Sequence, residues 1–470
     1  MVQGTSSWAG KSLITTALCR HFARRGVRVA PFKAQNMSNN ARVVAGGEIG
    51  TAQYLQAIAA RAEPDLRMNP VLVKPESDTR GQVIVNGVPD REIAALPWRE
   101  RAPRLWPNAA ESLRSLMAEF DLVILEGAGS PAEINLTGND MTNLRAATEA
   151  DAAVLMVTDI NRGGAFAHLF GTWSLMPAET RERVAGFILN RFRGDPDLLA
   201  PAPERLTEMT GVPFVGVVPW LSHDLPDEDG VAAPTPGGPA TGRPVVAVVQ
   251  YPTASNLDEL KPLERVADLR FIHAPDELAG AALIVLPGSK HVAGDLGWLR
   301  SAGFAPALEE AVAADRRVLG ICGGLQMLGG EIRDPAGVDG GGPGLGLLPV
   351  TTEFQSEKLT EKPAVTFGSA LPEPWSGLSG IRSAGYEIRH GRITPAAGAV
   401  EALTGQRGWV AGPVLGVTLH GLFEDAAVTG ALLGGDPDPD HSPDRVIDEL
   451  TDGVMEALDA RAIERIAGLG

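Results

Sequence analysis

Val318-Leu319-Gly320-Ile321-Cys322-Gly323-Gly324-Leu325-Gln326 reads as an apolar strand running into a small-residue turn with a cysteine at its apex. The Gly-x-Cys-x-Gly spacing of Gly320, Cys322 and Gly324 lets the backbone turn sharply from strand to helix, which sets the sulfur on a strained corner where the helix N-terminus stabilises a thiolate. A strand that delivers a nucleophile to the start of a helix belongs to an α/β sheet, and this stretch decides the fold of the second half. An acyl-transfer cysteine also needs a base. Of the eight histidines, His420 is best placed, because it ends the apolar run 414–419 and opens a loop at Gly421. The expected oxyanion hole combines the backbone N–H of Gly323 with one from Leu286-Pro287-Gly288-Ser289-Lys290, at Gly288. Cys19, inside a helical pattern, reads as core.

The other end of the chain carries a second site. Gly4-Thr5-Ser6-Ser7-Trp8-Ala9-Gly10-Lys11-Ser12 leads into a helical run. Only three residues precede Gly4, so the strand before the loop is expected to be very short. The loop is one residue longer than the common Gly-x-x-x-x-Gly-Lys-Ser spacing, yet its chemistry is intact. Backbone N–H groups from Gly4, Thr5 and Gly10 can cradle phosphates, Lys11 can reach the β and γ oxygens, and Ser12 can ligate Mg²⁺. A magnesium nucleotide also needs a carboxylate at a neighbouring strand end, and Glu126 supplies it where 122–125 meets Gly127-Ala128-Gly129. Asp159, after 153–157, is a second candidate. Lys33, after Val29-Ala30-Pro31-Phe32, suits charge neutralisation during phosphoryl transfer.

Between these sites, short β-branched runs (27–32, 122–125, 153–157, 186–189, 213–218) alternate with amphipathic segments (11–25, 52–62, 107–120). That alternation predicts a doubly wound parallel sheet. The acidic, Pro- and Gly-rich stretch that follows reads as a linker, and strand–helix alternation restarts at 245–250, 269–273, 282–286 and 318–321, then 414–419. The expected domains are 1–222 for nucleotide binding and 244–432 for the thiol site, joined by the linker 223–243. A loop and a single helix at 445–467 make up the remainder, 433–470. The glycine-rich stretch 337–346 is expected to be a loop.

The net charge of −17 over 470 residues argues against nucleic acid or an anionic membrane as a partner. Two cysteines in unrelated contexts make neither a metal spacing nor a disulfide framework, which suits a reducing compartment. No apolar run reaches bilayer length and no signal-peptide pattern opens the chain, so a cytoplasmic location is expected.

Taken in order, the segments around Gly4–Ser12, Lys33-Ala34-Gln35-Asn36-Met37-Ser38-Asn39-Asn40, Gly47-Glu48-Ile49-Gly50, Asn69-Pro70 through Asp78 and Glu126-Gly127-Ala128-Gly129-Ser130 resemble the cobyric acid synthase family. The resemblance continues through Leu286–Lys290, Gly320–Gln326, Ser383-Ala384-Gly385-Tyr386 and His420-Gly421-Leu422-Phe423-Glu424. The N-terminal half is similar to dethiobiotin-synthetase-like ATP enzymes, which share the longer phosphate loop. The C-terminal half is similar to class I glutamine amidotransferases, whose cysteine and histidine match Cys322 and His420. One departure is that many class I relatives follow the histidine with Pro-Glu to complete a triad, where this chain has Gly421-Leu422. Glu424 is not assigned the orienting role.

The resemblance implies an ATP- and glutamine-dependent amidation of the b, d, e and g carboxylates of adenosylcobyrinic acid a,c-diamide, giving adenosylcobyric acid. Glutamine would be hydrolysed through a Cys322 thioester, and Mg-ATP, held by Lys11, Ser12 and Glu126, would activate the carboxylates as acyl phosphates. Ammonia would travel by a sheltered route between the domains. Asn36, Asn39, Asn40 and Asp78 are candidates for the corrinoid site, with loop stabilisation an equal explanation. The alternatives are the sister a,c-diamide synthase reaction and a partitioning-type P-loop ATPase.

Overall fold

Along Val154–Asp159 the side chains alternate between two cores. Leu155 and Val157 join the cluster beneath the Lys11–Arg24 helix, while Val154 and Met156 join the one beneath Ala165–Leu175. Burial on both faces is what a parallel strand between two helical layers requires. The computed structural model describes residues 1–76, 81–223, 225, 242–434 and 443–469. It places Val2–Gly4, Val154–Asp159, Val184–Phe192 and Phe214–Pro219 side by side in that order, all parallel. On the other flank Val29–Phe32 pairs with Leu122–Leu125, whose following Glu126 bridges to Val2, and the Gly127 N–H donates to the Val2 carbonyl at 2.9 Å. The short first strand is thus central. The chain winds outward on both sides of it, which puts the switch point of the sheet beside Gly4 and Glu126.

The strands expected in this half are all present, with ends shifted by a few residues. The third of the helices expected from the sequence is longer than 107–120. It runs Trp98–Glu119 with Pro103 and Pro107 inside it, because Ala102, Leu105, Ala109, Leu113 and Leu116 form one continuous buried stripe. The single helix expected at 445–467 is two, Pro443–Glu456 and Ala460–Ile466. Between them Leu458 bridges to Gly216, the Asp459 N–H donates to the Val215 carbonyl at 2.7 Å, and the Asp459 carboxylate caps the second helix through the Ala462 N–H. The first of the pair packs on Lys11–Arg24. Asp444, Asp448 and Asp452, one turn apart, meet Arg20 and Arg24.

The sequence reading missed an insertion in residues 36–89. Its strands Asn36–Met37, Val71–Pro75, Gly81–Val85 and Val88–Pro89 form one small sheet, and Ala41–Val44 with Gly47–Gly50 forms a hairpin. Strands this short carry too little period-2 pattern, although Asn86-Gly87, both at positive φ, is a hairpin-turn signal that was available.

In the second half Asp268–Ile272, Val245–Val249, Leu283–Leu286, Val318–Ile321 and Val414–Val417 lie parallel, and Gly408–Ala411 and Val400–Leu403 extend the sheet antiparallel. Most of 337–346 is irregular, with only Gly342–Pro343 in a strand. A small shared core of Ala41, Val43, Leu72, Ile84, Tyr386 and Ile388 seats the insertion against this half. The expected linker 223–243 and the residues 435–442 lie almost wholly outside the described residues. No helix among the described residues is long and apolar enough to cross a membrane.

Candidate active sites

Cys322 follows the Val318–Ile321 strand and precedes the Gly323–Leu328 helix. Its φ of 50° is the strained elbow expected for a nucleophile held off the sheet. The turn closes only with small residues: a Cβ on Gly324 would lie 2.0 Å from the Leu286 carbonyl oxygen. His420 is buried beside it. Burial alone would raise the Cys322 thiol, but the adjacent His420, its hydrogen bond to the sulfur, Arg389 and Lys290 together lower it. His420 is driven the other way. Burial opposes its charge, yet Glu259 and Cys322 lift it to about 10. Both shifts favour a thiolate–imidazolium pair, the imidazolium being held to about 10.

The third member is Glu259, a residue that sequence reasoning did not single out. It lies in the Leu257–Arg265 turn and is 1 % exposed. One oxygen takes the His420 Nδ1 at 2.8 Å and the other accepts from the Gly421 N–H at 2.8 Å. A proline at 421 would lack that N–H, and Gly421 stands at φ 83°, which proline cannot adopt. The departure from Pro-Glu thus accompanies a carboxylate brought from elsewhere in the chain. Its sequence signal was two acids, Asp258 and Glu259, inside an apolar frame of Leu257, Leu260 and Leu263, all buried.

The inserted hairpin reaches this group. Arg42 donates to Asp258 at 2.8 Å and to Glu424, and its guanidinium lies 4.9 Å from the centre of the Tyr386 ring. Tyr386 in turn stacks on His420, with ring centroids 5.3 Å apart. The Ala41 N–H donates to Asn256 Oδ1 at 3.2 Å, and Thr51 Oγ1 to Asp258 at 3.3 Å.

Gly288 sits opposite Ser255 in a two-stranded antiparallel pair. The Lys290 N–H donates to the Thr253 carbonyl at 3.0 Å, and the alternation of such ladders turns the Gly288 N–H toward Ser255 and the Ser289 N–H away from it. Ser289 is also the closer to the elbow: a Cβ on Gly323 would be 2.6 Å from the Ser289 nitrogen. The absence of a side chain at Gly288 has another use, because a Cβ there would come within 2.9 Å of the His420 ring. Asp295 braces the segment by accepting from Ser289 Oγ and Thr253 Oγ1 at 2.6 Å each.

Cys322 opens into a cavity of about 490 Å³ whose wall includes Ser289, Lys290, Gln326, Lys358 and Arg389, together with Glu76 and Gln82 from the insertion. Behind it lies a charged cluster. Glu48, fully buried, takes Lys74 on one oxygen and Lys358 on the other. Burial would raise the Glu48 carboxyl, but Lys358, Lys74 and Lys290 hold it well below the usual carboxylate range.

At the nucleotide end, Gly10 starts the Lys11–Arg24 helix at φ 99°, where a Cβ would strike the Asn190 amide. Lys11 Nζ lies across the loop, donating to Ser6 O at 3.0 Å and Gly129 O at 3.3 Å. Glu126, 1 % exposed, gathers the rest: Ser12 Oγ donates to Oε1 at 2.9 Å, Lys33 Nζ to the same oxygen at 2.8 Å, and Gln56 Nε2 to Oε2. Thr5 Oγ1 meets Thr158 Oγ1 at 2.9 Å. Asp159 is committed elsewhere, to the Asn161 N–H at 2.9 Å and to Arg191 at 3.1 Å. Among the described residues no three His, Cys, Asp or Glu side chains gather into a metal site. The hard oxygens of Ser12 and Glu126 do fit a divalent ion that draws its other ligands from phosphate and water.

A cleft of about 400 Å³ leads from Lys11 and Lys33 past Asn36 to Trp98 and Arg101. Asn36 lines it while donating to Gln53 at 3.0 Å. Asn40 accepts from the Thr51 N–H through its carbonyl, and Asn39 Oδ1 is buried with no protein hydrogen-bond partner. Asp78 lies outside the described residues. Cys19 is buried in the first helix, where burial and Glu126 raise its thiol, so it is inert.

Residues 1–229 match the CobQ/CobB/MinD/ParA nucleotide binding domain family, and residues 245–428 the CobB/CobQ-like glutamine amidotransferase domain family. The chain is 53% identical over 470 residues to a cobyric acid synthase of Variovorax paradoxus (strain S110), covering 98% of this chain and 96% of that one. It is 54% identical over 482 residues to one from Paracidovorax citrulli (strain AAC00-1), with 98% and 96% covered. To one from Polaromonas sp. (strain JS666 / ATCC BAA-500) it is 51% identical over 500 residues, with 99% and 97% covered.

Proposed function

Because the chain belongs to the cobyric acid synthase family, we propose that its two sites divide one reaction between them. It is an amidotransferase that uses glutamine and ATP to convert the b, d, e and g carboxylates of adenosylcobyrinic acid a,c-diamide to amides, giving adenosylcobyric acid. The observation that carries this is the pairing, in one chain, of the Cys322–His420–Glu259 triad with the Lys11–Ser12–Lys33–Glu126 group.

At the first site the Cys322 thiolate attacks the side-chain amide carbon of glutamine. Its oxyanion is received by the N–H groups of Gly323 and, in place of the Gly288 donor expected from sequence, Ser289. The His420 imidazolium gives its proton to the departing nitrogen, releasing ammonia and leaving a thioester. Water, deprotonated by the now neutral His420, hydrolyses the thioester to glutamate and regenerates the pair. Glu259 holds the ring in the tautomer that makes both transfers possible.

At the second site the glycine-rich loop and Lys11 cradle the phosphates of ATP. Ser12 and Glu126 would hold a Mg²⁺ ion, which would supply charge neutralisation when bound. A substrate carboxylate attacks the γ-phosphorus, ADP leaves, and ammonia then displaces phosphate from the acyl phosphate. Lys33, 2.8 Å from Glu126, offsets the negative charge gathered there.

The test is mass gain on adenosylcobyrinic acid a,c-diamide with wild type beside Cys322→Ala. Four amidations with glutamine, lost in the variant and restored by ammonia, support the reading. Active glutaminase without mass gain removes this substrate and returns the sister a,c-diamide reaction. Absence of glutaminase favours a partitioning-type ATPase, a reading that leaves the triad without a task.

A further inference from the structure

Lys290 faces the cavity that holds Cys322, and among the described residues no carboxylate lies within ion-pair distance of it. Its neighbours make this unusual. Lys74 and Lys358 share the carboxylate of Glu48, so three lysines gather at one buried acid, and Glu76 on the cavity wall is not within ion-pair distance of Lys290. An excess of positive charge in such a place is costly without a counter-anion. The other charged groups on the wall have partners: Arg389 is held by Glu387 at 3.0 Å, and Asp339 by His291. The unmatched charge sits one residue from the Ser289 donor and beside the nucleophile, where an amino-acid substrate must present its head group.

We propose that Lys290, backed by Lys358, is the subsite that binds the α-carboxylate of glutamine, and that the nucleotide-binding half sets its charge through Glu48 and Lys74. The inference rests on the glutaminase reading of Cys322. It assigns the specificity for a free amino acid to groups from both halves, since Glu48, Lys74 and Gln82 all come from the insertion. Gln82 adds an oxygen 3.3 Å from Lys358 Nζ, which fixes that ammonium in the wall. Desolvation, with Lys74 and Lys358 adding to it, pushes Lys290 well below the ordinary lysine range while Glu48 opposes. Lys358 stands at about 8. A bound carboxylate restores the charged form of both.

The experiment compares wild type, Lys290→Met and Lys290→Arg on two substrates: L-glutamine and 4-aminobutanamide, which is glutamine without its α-carboxylate. Loss of one charge-assisted hydrogen bond predicts a fall in kcat/KM for glutamine of about 10- to 100-fold in K290M. Most of it is expected in KM, with partial recovery in K290R and a much smaller fall on 4-aminobutanamide, which registers only the loss of the Lys290 charge beside the Cys322 thiol. The same contrast is read without turnover by calorimetry in Cys322→Ala and Cys322→Ala/Lys290→Met with both ligands. Equal losses on the two ligands, or glutamine affinity within twofold of wild type, overturn the proposal. Ammonia-dependent amidation is run alongside: its loss in wild type counts against the functional reading, whereas its retention with an unchanged glutamine KM in K290M counts against the subsite alone.

Discussion

Replacing Glu259 by Gln keeps an acceptor for the Gly421 N–H but sets an amide NH₂ against the His420 Nδ1. The imidazolium then loses its counter-charge in a buried site. His420 holds its proton to about 10 against an ordinary 6.5, with burial opposing and Glu259 the largest favourable influence, Cys322 the next. At about 1.4 kcal/mol per pH unit that gap is roughly 5 kcal/mol. If half belongs to Glu259, the thiolate–imidazolium pair loses about 2–3 kcal/mol, or roughly 30- to 150-fold in glutaminase kcat/KM. The assay is glutamine hydrolysis beside iodoacetamide inactivation of Cys322 across pH, with ammonia-dependent amidation as the control for folding. The alkylation inflection is expected to move up as His420 ceases to favour the thiolate. Stability carries the same signature: because the folded state holds the His420 proton more tightly, the pair's contribution is full below about 6.5 and lost as pH rises through about 10. The stability gap between wild type and Glu259→Gln should therefore close between those limits. Hydrolysis within threefold of wild type, with an unmoved inflection, would refute the reasoning.

Glu126→Gln should abolish amidation with either nitrogen source while glutamine hydrolysis persists, since Glu126 meets Ser12 and Lys33 and lies in the other half from the thiol. Arg42→Met leaves Asp258 buried without its cation, which costs about 3–5 kcal/mol when a buried pair is broken. Urea unfolding should show that loss, Arg42→Met/Asp258→Asn should regain part of it, and glutaminase should fall more than ammonia-dependent amidation. Gly288→Ala drives a methyl group to 2.9 Å from His420 Cε1 and Ser255 Oγ. Glutaminase should drop about tenfold or more as the ring is displaced, with ATP-dependent use of ammonia intact.

Much of both sites was legible because the chemistry sits at chain features that sequence displays. The elbow at Cys322, the loop before Lys11 and the strand-end Glu126 are each local: a few residues specify backbone and side chain together. Glu259 was not legible for the opposite reason. Its partner lies 161 positions away, and only the folded sheet brings the Leu257–Arg265 turn beneath His420. The same holds for Arg42 and Glu48, whose strands are four residues each and take their burial from the other half. Gly288 shows a subtler limit. The segment does pack against the Cys322 elbow, but which N–H is turned toward that elbow depends on ladder register, and a one-residue step reverses it. The long helix across Pro103 and Pro107 shows burial overriding a local breaker.

The clasp of residues 443–466 on the first helix bears on how the protein is made. Ile14, Leu18 and Phe22 leave the ribosome more than 400 residues before Ile447, Leu450 and Val454, which cover them. At translation rates of about 5–20 residues per second, that face stays open to solvent for roughly 20–80 s. For that interval the nascent nucleotide-binding half exposes an apolar stripe with two unpaired arginines. A chain halted before residue 443 never closes it, so a ribosome that stalls late yields a protein with an intact phosphate loop and no finished floor beneath it.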